Sequence, residues 1–170
     1  MIYLFYLIGF LFAIFVGDFF VKHIVDELWS DIGAVNAPRD PIRPNPFHPR
    51  MVGFIERTLY VISIQINSPQ FIGVWLAVKV AGQWKRWNEG ITLEGKKPVA
   101  GREIFNIFLI GNGFSILYSI VGSKIINWFQ GGKYLLGLAA PLTLCLLTGV
   151  LLSYIRKEIK KNKKNTQSDY

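Results

Sequence analysis

The sequence predicts an all-α fold: a polytopic helical integral membrane protein of about four spans, with one broken or hairpin helix pair. Three observations predict it. The 170 residues are 51% hydrophobic and 15% aromatic but only 18% charged, which is not the mixture of a water-soluble domain. Apolar runs long enough to cross hydrocarbon begin at Ile2, Ile104 and Tyr134. Basic residues gather where such runs stop, with Arg156, Lys157, Lys160, Lys161, Lys163 and Lys164 directly after the last one. The apolar content excludes disorder, and the single Cys145 excludes an intramolecular disulfide framework.

Residues 1–30 read as an N-terminal transmembrane helix with a polar extension. The run from Ile2 to about Val21 accommodates Asp18 and gives about 20 residues, or roughly 30 Å. No basic residue precedes it and no small-x-small cleavage site follows, so it reads as a retained span. Asp18, Lys22 and Asp26 recur at i, i+4 and i+8, which predicts a solvated charged face. Residues 31–50 are a Pro-rich linker carrying Pro38, Pro41, Pro44, Pro46 and Pro49. Residues 51–155 form a helical membrane core. In it, Val52, Ile55, Leu59, Ile62 and Ile66 make one helical stripe, and the chain breaks at Asn67 before Ser68-Pro69 starts a new helix toward Trp84. Ile104–Ile126 is the clearest span, and Gln130-Gly131-Gly132 turns into Tyr134–Ile155 as an antiparallel hairpin. Residues 156–170 are a basic tail.

Orientation follows from that tail. If it is cytoplasmic, the hairpin puts Lys85, Arg86, Lys96, Lys97 and Arg102 on the same side, as the positive-inside rule requires. One unbroken helix from Met51 to Trp84 would measure about 50 Å, too long for an upright crossing. Two alternatives remain: a hairpin with both ends cytoplasmic, or a helix kinked at Pro69 that crosses once. Lys22, Arg39, Arg43 and Arg50 favour the hairpin.

Three segments carry a family resemblance: Gly53-Phe54-Ile55-Glu56-Arg57, then Phe71-Ile72-Gly73-Val74-Trp75-Leu76-Ala77-Val78-Lys79, then Phe108-Leu109-Ile110-Gly111-Asn112-Gly113-Phe114-Ser115. Together they resemble the C-terminal membrane region of the bacterial domain of unknown function 3307 family. Asn112 and Gln83 depart from that family's pattern, where Thr and a basic residue are expected. The resemblance covers about a third of the chain. It implies a bacterial membrane location and a shared helical core, and it carries over no catalytic residue.

Candidate chemistry is sparse. Glu56, Arg57 and Lys79 are the intramembrane or interfacial charges, and an unpaired charge in lipid costs several kcal/mol. If the short helices form a hairpin, Glu56 can meet Lys79 across it while Arg57 snorkels to headgroups. Gly111, Asn112, Ser115, Ser119 and Gly122 place small and polar groups along the strongest span, the pattern of a close helix–helix interface. The alternative for Asn112 is the lining of a polar path. His23, Asp26 and Glu27 share a helical face, but no HExxH or CxxC element completes a metal set, and no nucleophile-base pair stands out. Trp84, Lys85, Arg86 and Trp87 read as an aromatic belt with snorkelling cations, not as a nucleic-acid surface.

The expectation is therefore a non-enzymatic, multi-pass protein of the bacterial inner membrane with its C-terminus cytoplasmic. It has no catalytic residues, metal or cofactor. Its partners are the lipid bilayer and a second copy or another membrane protein, and it acts through that assembly. The alternative function is a small channel or transporter component.

Overall fold

The computed structural model describes residues 1–31, 47–89 and 101–168. Most of the Pro-rich linker, with Pro38, Pro41, Pro44 and Pro46, lies outside the described residues, as do Arg39, Arg43, Lys96 and Lys97. So do the side chains of His48, Pro49, Arg86, Trp87, Lys163 and Lys164. Every element among the described residues is helical: α1 (Ile2–Leu11), a π-helical turn (Phe12–Val16), α2 (Gly17–Asp31), α3 (Phe47–Gln65), α4 (Gln70–Glu89), α5 (Gly101–Gln130) and α6 (Tyr134–Ser168). Three rods are long and apolar enough to cross a membrane: Ile2–Asp31, Gly101–Gln130 and Tyr134–Lys161. Four spans were expected. The difference lies in α3 and α4, where Arg50, Glu56 and Arg57 on one helix and Lys79, Lys85 and Arg86 on the other interrupt the apolar sequence. The start of α3 at Phe47 also falls inside the linker expected over residues 31–50, because proline is tolerated in a first helical turn, where its missing N–H has no partner to lose.

Helix α5 is the axis of the molecule and packs against every other element. Its neighbours fix the direction of each helix. A Cβ added to Gly9 would meet Gly122, one on Gly17 would meet Tyr118, and one on Gly111 would meet Val25, so α1–α2 runs antiparallel to α5. The Phe5 and Phe129 rings meet edge-on at 5.6 Å. Helix α6 also runs antiparallel to α5, from Tyr134 beside Phe129, past a Tyr118 Oη to Thr148 hydrogen bond of 3.1 Å, to Arg156, which donates to Glu27 at the far end of α2.

Two turns of one design make the hairpins. Asn67 has φ 60°, and the N–H groups of Ser68 and Asn67 reach back to Ser63 O (2.8 Å) and Ile64 O (3.1 Å). Gly132 has φ 71°, with Lys133 N–H to Trp128 O (2.7 Å) and Gly132 N–H to Phe129 O (3.2 Å). Both are Schellman closures, in which one left-handed residue turns the backbone so that otherwise orphaned carbonyls are satisfied. Asn and Gly are the residues that enter this region at least cost. Helix α3 runs parallel to α5, from Arg57 beside Ser115 to Gln65, whose amide donates to Ser123 O (2.9 Å) and Oγ (2.7 Å). Helix α4 returns antiparallel, bringing Lys79 to Asn112. Both ends of the α3–α4 hairpin therefore lie at the end of the molecule shared by Asp31, Gly101 and Arg156. Its tip stands level with Ser123, about 10 Å short of the other end of α5 at 1.5 Å per residue.

The core is narrow and built on small residues. Ala13, Val61 and Ile126, fully buried, join the π turn, α3 and α5, with Tyr6 and Phe10 packed against them. Gly9, Ala13 and Gly17 form a small-residue stripe on the first rod, facing Gly122 and Tyr118. The π turn interrupts the phase of that rod immediately before Gly17 and Asp18, so both are presented to α3 and α5. Helix α6 lies outermost, touching the body through Gly137, Thr148, Leu152 and Ile159 and exposing Leu142, Leu146, Leu147 and Val150. Such an apolar surface suits lipid.

The packing makes a direct prediction. A Cβ on Gly122 would stand 2.7 Å from the Gly9 carbonyl oxygen and 2.8 Å from the Ala13 Cβ, whereas one on Gly113 would meet nothing within 4 Å. Gly122→Ala should lower stability in detergent by about 1–3 kcal/mol. Gly113→Ala should leave it unchanged or raise it, since Ala is the better helix former by about 1 kcal/mol. Equal unfolding temperatures for the two variants would mean that α1 and α5 do not approach so closely.

Candidate functional site: a charge-lined cleft

Glu56 and Arg57 are consecutive on α3 and so point to different neighbours, Glu56 toward α4 and Arg57 toward α2 and α5. Both are buried, at 3% and 2% exposure. The Glu56 carboxylate accepts from Trp75 Nε1 at 2.8 Å, and Lys79 Nζ lies 2.7 Å from its Oε1 and 3.0 Å from its Oε2. The ammonium also donates to Asn112 Oδ1 (2.7 Å) and stands 5.1 Å above the Phe108 ring, while Asn112 Nδ2 donates to the Phe108 carbonyl (2.7 Å). Every polar atom of this chain, from Trp75 through Glu56 and Lys79 to Asn112, thus has a partner of the right kind.

The second half of the network centres on Asp18. Its Oδ1 accepts from Arg57 Nη2 at 2.9 Å, and its Oδ2 accepts from Arg50 Nη2 (2.8 Å) and Nε (3.1 Å). Arg57 Nη1 reaches Ser115 Oγ at 3.4 Å, and the Arg57 backbone carbonyl accepts from Ser119 Oγ, also at 3.4 Å. Arg57 Nε is buried with no hydrogen-bond partner, a condition it shares with the Tyr60 hydroxyl. One carboxylate therefore holds two guanidinium groups, and Arg57 ties α2, α3 and α5 together.

These two half-networks line one cleft of about 470 Å³ between α2, α3, α4 and α5. Its polar wall holds Asp18, Arg50, Glu56, Arg57, Lys79 and Asn112, and its apolar wall holds Val25, Trp29, Ile104, Ile107 and Phe108. Gln83 lines its rim. An apolar cavity of this size with a few convergent polar groups is the usual form of a small-molecule site.

The sequence-derived site residues divide between two roles. Glu56, Arg57 and Lys79 all border the cleft, with Asn112, Ser115 and Gly111. Ser119 and Gly122 lie beyond it, against Arg57 O and Gly9. The small-residue face of α5 is therefore covered by helices of the same chain. Two expectations are corrected. Arg57 does not snorkel: its guanidinium is buried and meets Asp18 and Ser115 within the structure. The Asp18, Lys22 and Asp26 face is turned toward the cleft, where Asp18 is only partly exposed and is paired with Arg50 and Arg57. Asp18, Arg50 and Trp75 were missed as site residues. The signal for Asp18 was present: a lone carboxylate ending an unbroken apolar run, one residue after the Gly9-Ala13-Gly17 stripe.

Elsewhere, His23 Nδ1 lies 2.6 Å from the Phe19 carbonyl and Glu27 accepts from Arg156 Nε at 2.6 Å, which separates the two ends of the His23-Asp26-Glu27 face. Among the described residues no group of three His, Cys, Asp or Glu side chains is placed to hold a metal. Set against protein families, curated proteins and solved structures, the chain matches none of them.

The Glu56–Lys79 pair should behave as a unit. Lys79→Met leaves a buried carboxylate uncompensated and should cost about 3–5 kcal/mol in denaturation experiments. Adding Glu56→Gln, which keeps an acceptor for Trp75 and removes the charge, should recover most of that loss. A double variant no more stable than Lys79→Met would show that the Glu56 charge is not what makes Lys79 necessary.

Proposed function

We propose that the chain is a multi-pass protein of the bacterial inner membrane, with a cytoplasmic C-terminus, whose cleft is the solute-binding element of a small transporter. One observation carries this reading: four helical segments bring Asp18, Glu56, Arg57, Lys79 and Asn112 to a single cleft of about 470 Å³ in a body with three apolar rods. An ionisable group at membrane depth is a functional-site candidate by default, even when it is paired.

In this reading the hairpin is a fourth membrane element that re-enters from the cytoplasmic side. Phe54, Ile55, Ile62, Phe71, Val74 and Val78 are exposed on it, and lipid would cover them. The cytoplasmic assignment rests on Arg50, Arg102, Arg156, Lys157, Lys160 and Lys161 sharing one end of the molecule. The bacterial setting rests on the resemblance to the domain of unknown function 3307 family. Assembly with a second copy or another membrane protein would use the outer face of α6, since the small residues of α5 are covered internally.

Purified protein reconstituted into vesicles should make them permeable to small charged solutes in osmotic swelling assays, and Asn112→Leu should abolish that permeability. Wild-type vesicles that swell no faster than protein-free ones with any solute would overturn the transport role. Topology is tested separately with single cysteines in a Cys145→Ala background. Those at Met51 and Trp84 should resist an impermeant thiol reagent in intact cells, while one at Lys133 should react. Labelling of only one of Met51 and Trp84 would replace the re-entrant hairpin by a crossing.

A further inference from the structure

The charges of the cleft do not cancel. Among the described residues its lining holds four cations, Lys22, Arg50, Arg57 and Lys79, against three carboxylates, Asp18, Asp26 and Glu56, which leaves a formal charge of +1. The pairing shows where the excess lies. Glu56 and Lys79 neutralise each other, while the single Asp18 carboxylate is shared between Arg50 and Arg57. At that same place the Nε of Arg57, in a side chain 2% exposed, has no partner. A buried N–H on a permanent cation without an acceptor costs more than a neutral one, so this end of the cleft is short of negative charge. The opposite wall carries no charge and presents Val25, Trp29, Ile107 and Phe108.

Resting on the solute-binding reading, we propose that the cleft binds an amphipathic monoanion, its carboxylate or phosphate head on the Arg50–Arg57–Lys22 side and its apolar body against Val25, Trp29, Ile107 and Phe108. One negative charge brings the lining to neutrality, and charge-assisted hydrogen bonds from guanidinium to such heads are about twice as strong as neutral ones. Arginine is suited to the task, because its planar fork matches both head types. A cation of the same shape would add to an uncompensated positive charge in a low-dielectric site. A volume of about 470 Å³ lies within the range of sites for compact organic ligands. The head could belong to a free organic acid or to a membrane phospholipid, and the chemistry of recognition is the same.

The test uses three probes of equal chain length, decanoate, decylammonium and decanol, added to the full-length protein in a maltoside detergent while thermal unfolding is followed. Decanoate should raise the unfolding temperature saturably and the other two should not. Lys22→Gln removes an exposed cation outside the ion-pair network, so the unliganded protein should unfold as the wild type does while its decanoate affinity falls about tenfold. Arg50→Gln should weaken decanoate binding as well. Equal stabilisation by all three probes, or a preference for decylammonium, would overturn the anion and leave the solute-binding reading standing. No saturable response to any probe would overturn both. In phosphatidylcholine nanodiscs, added phosphatidylglycerol that displaces decanoate identifies a lipid as the occupant, and decanoate binding unaffected by it assigns a free organic anion.

Discussion

The contact between Arg57 and Asp18 is the interaction on which the rest of the structure depends. Taking a guanidinium out of water is costly, and a carboxylate at 2.9 Å offsets that cost only if both groups are held in place. Each element around the pair contributes to holding it. The π turn aims Asp18, the absence of a side chain at Gly17 lets the Arg57 stem lie against α2, and Ser115 and Ser119 on α5 receive the guanidinium and the backbone carbonyl behind it. The small residues of α1 and α5 then follow as a requirement, since only closely spaced backbones bring those groups within reach. In lipid there is no hydrophobic force to draw helices together, so dispersion at Gly9–Gly122 and this polar contact must do it.

Much of the architecture was legible in the sequence because it depends on local rules. The apolar runs mark the three rods, and the breaks at Asn67 and Gly131-Gly132 sit at the two left-handed closures. The opposed Glu56 and Lys79 are found because a turn between them makes their meeting a matter of counting residues. The Asp18–Arg57 contact was not legible. Its partners lie in separate segments joined by the Pro-rich stretch, and which helix the Asp18-Lys22-Asp26 face meets is decided by packing that no local pattern encodes. Three of the four expected spans have the length and apolarity of a crossing, and the α3–α4 pair does not. A helix whose charges are neutralised by neighbours is far less apolar than its surroundings, and hydropathy along one segment does not register partners on another.

The cleft and the small-residue face divide α5 between them. Toward Gly101, its inward side chains, Ile104, Ile107, Gly111 and Asn112, leave space. Toward Gln130, Ser119, Gly122, Ser123 and Ile126 leave none. Among the described residues the molecule is thus open at the end that carries most of its charge and closed at the end where Phe5, Phe129 and Tyr134 cluster.

The hairpin also bears on how the chain is made. Helices α3 and α4 leave the ribosome after their partner Asp18 but before Ser115 and Asn112 exist. Until α5 is synthesised, Arg57 can have its carboxylate yet not its serine, and Lys79 has Glu56 yet not its amide. A segment so charged cannot partition into hydrocarbon by itself. If the hairpin re-enters the membrane as proposed, it must wait at the surface or within the insertion machinery, and its entry is coupled to the arrival of α5. On that reading the hairpin integrates by folding against α5 and not by its own hydropathy.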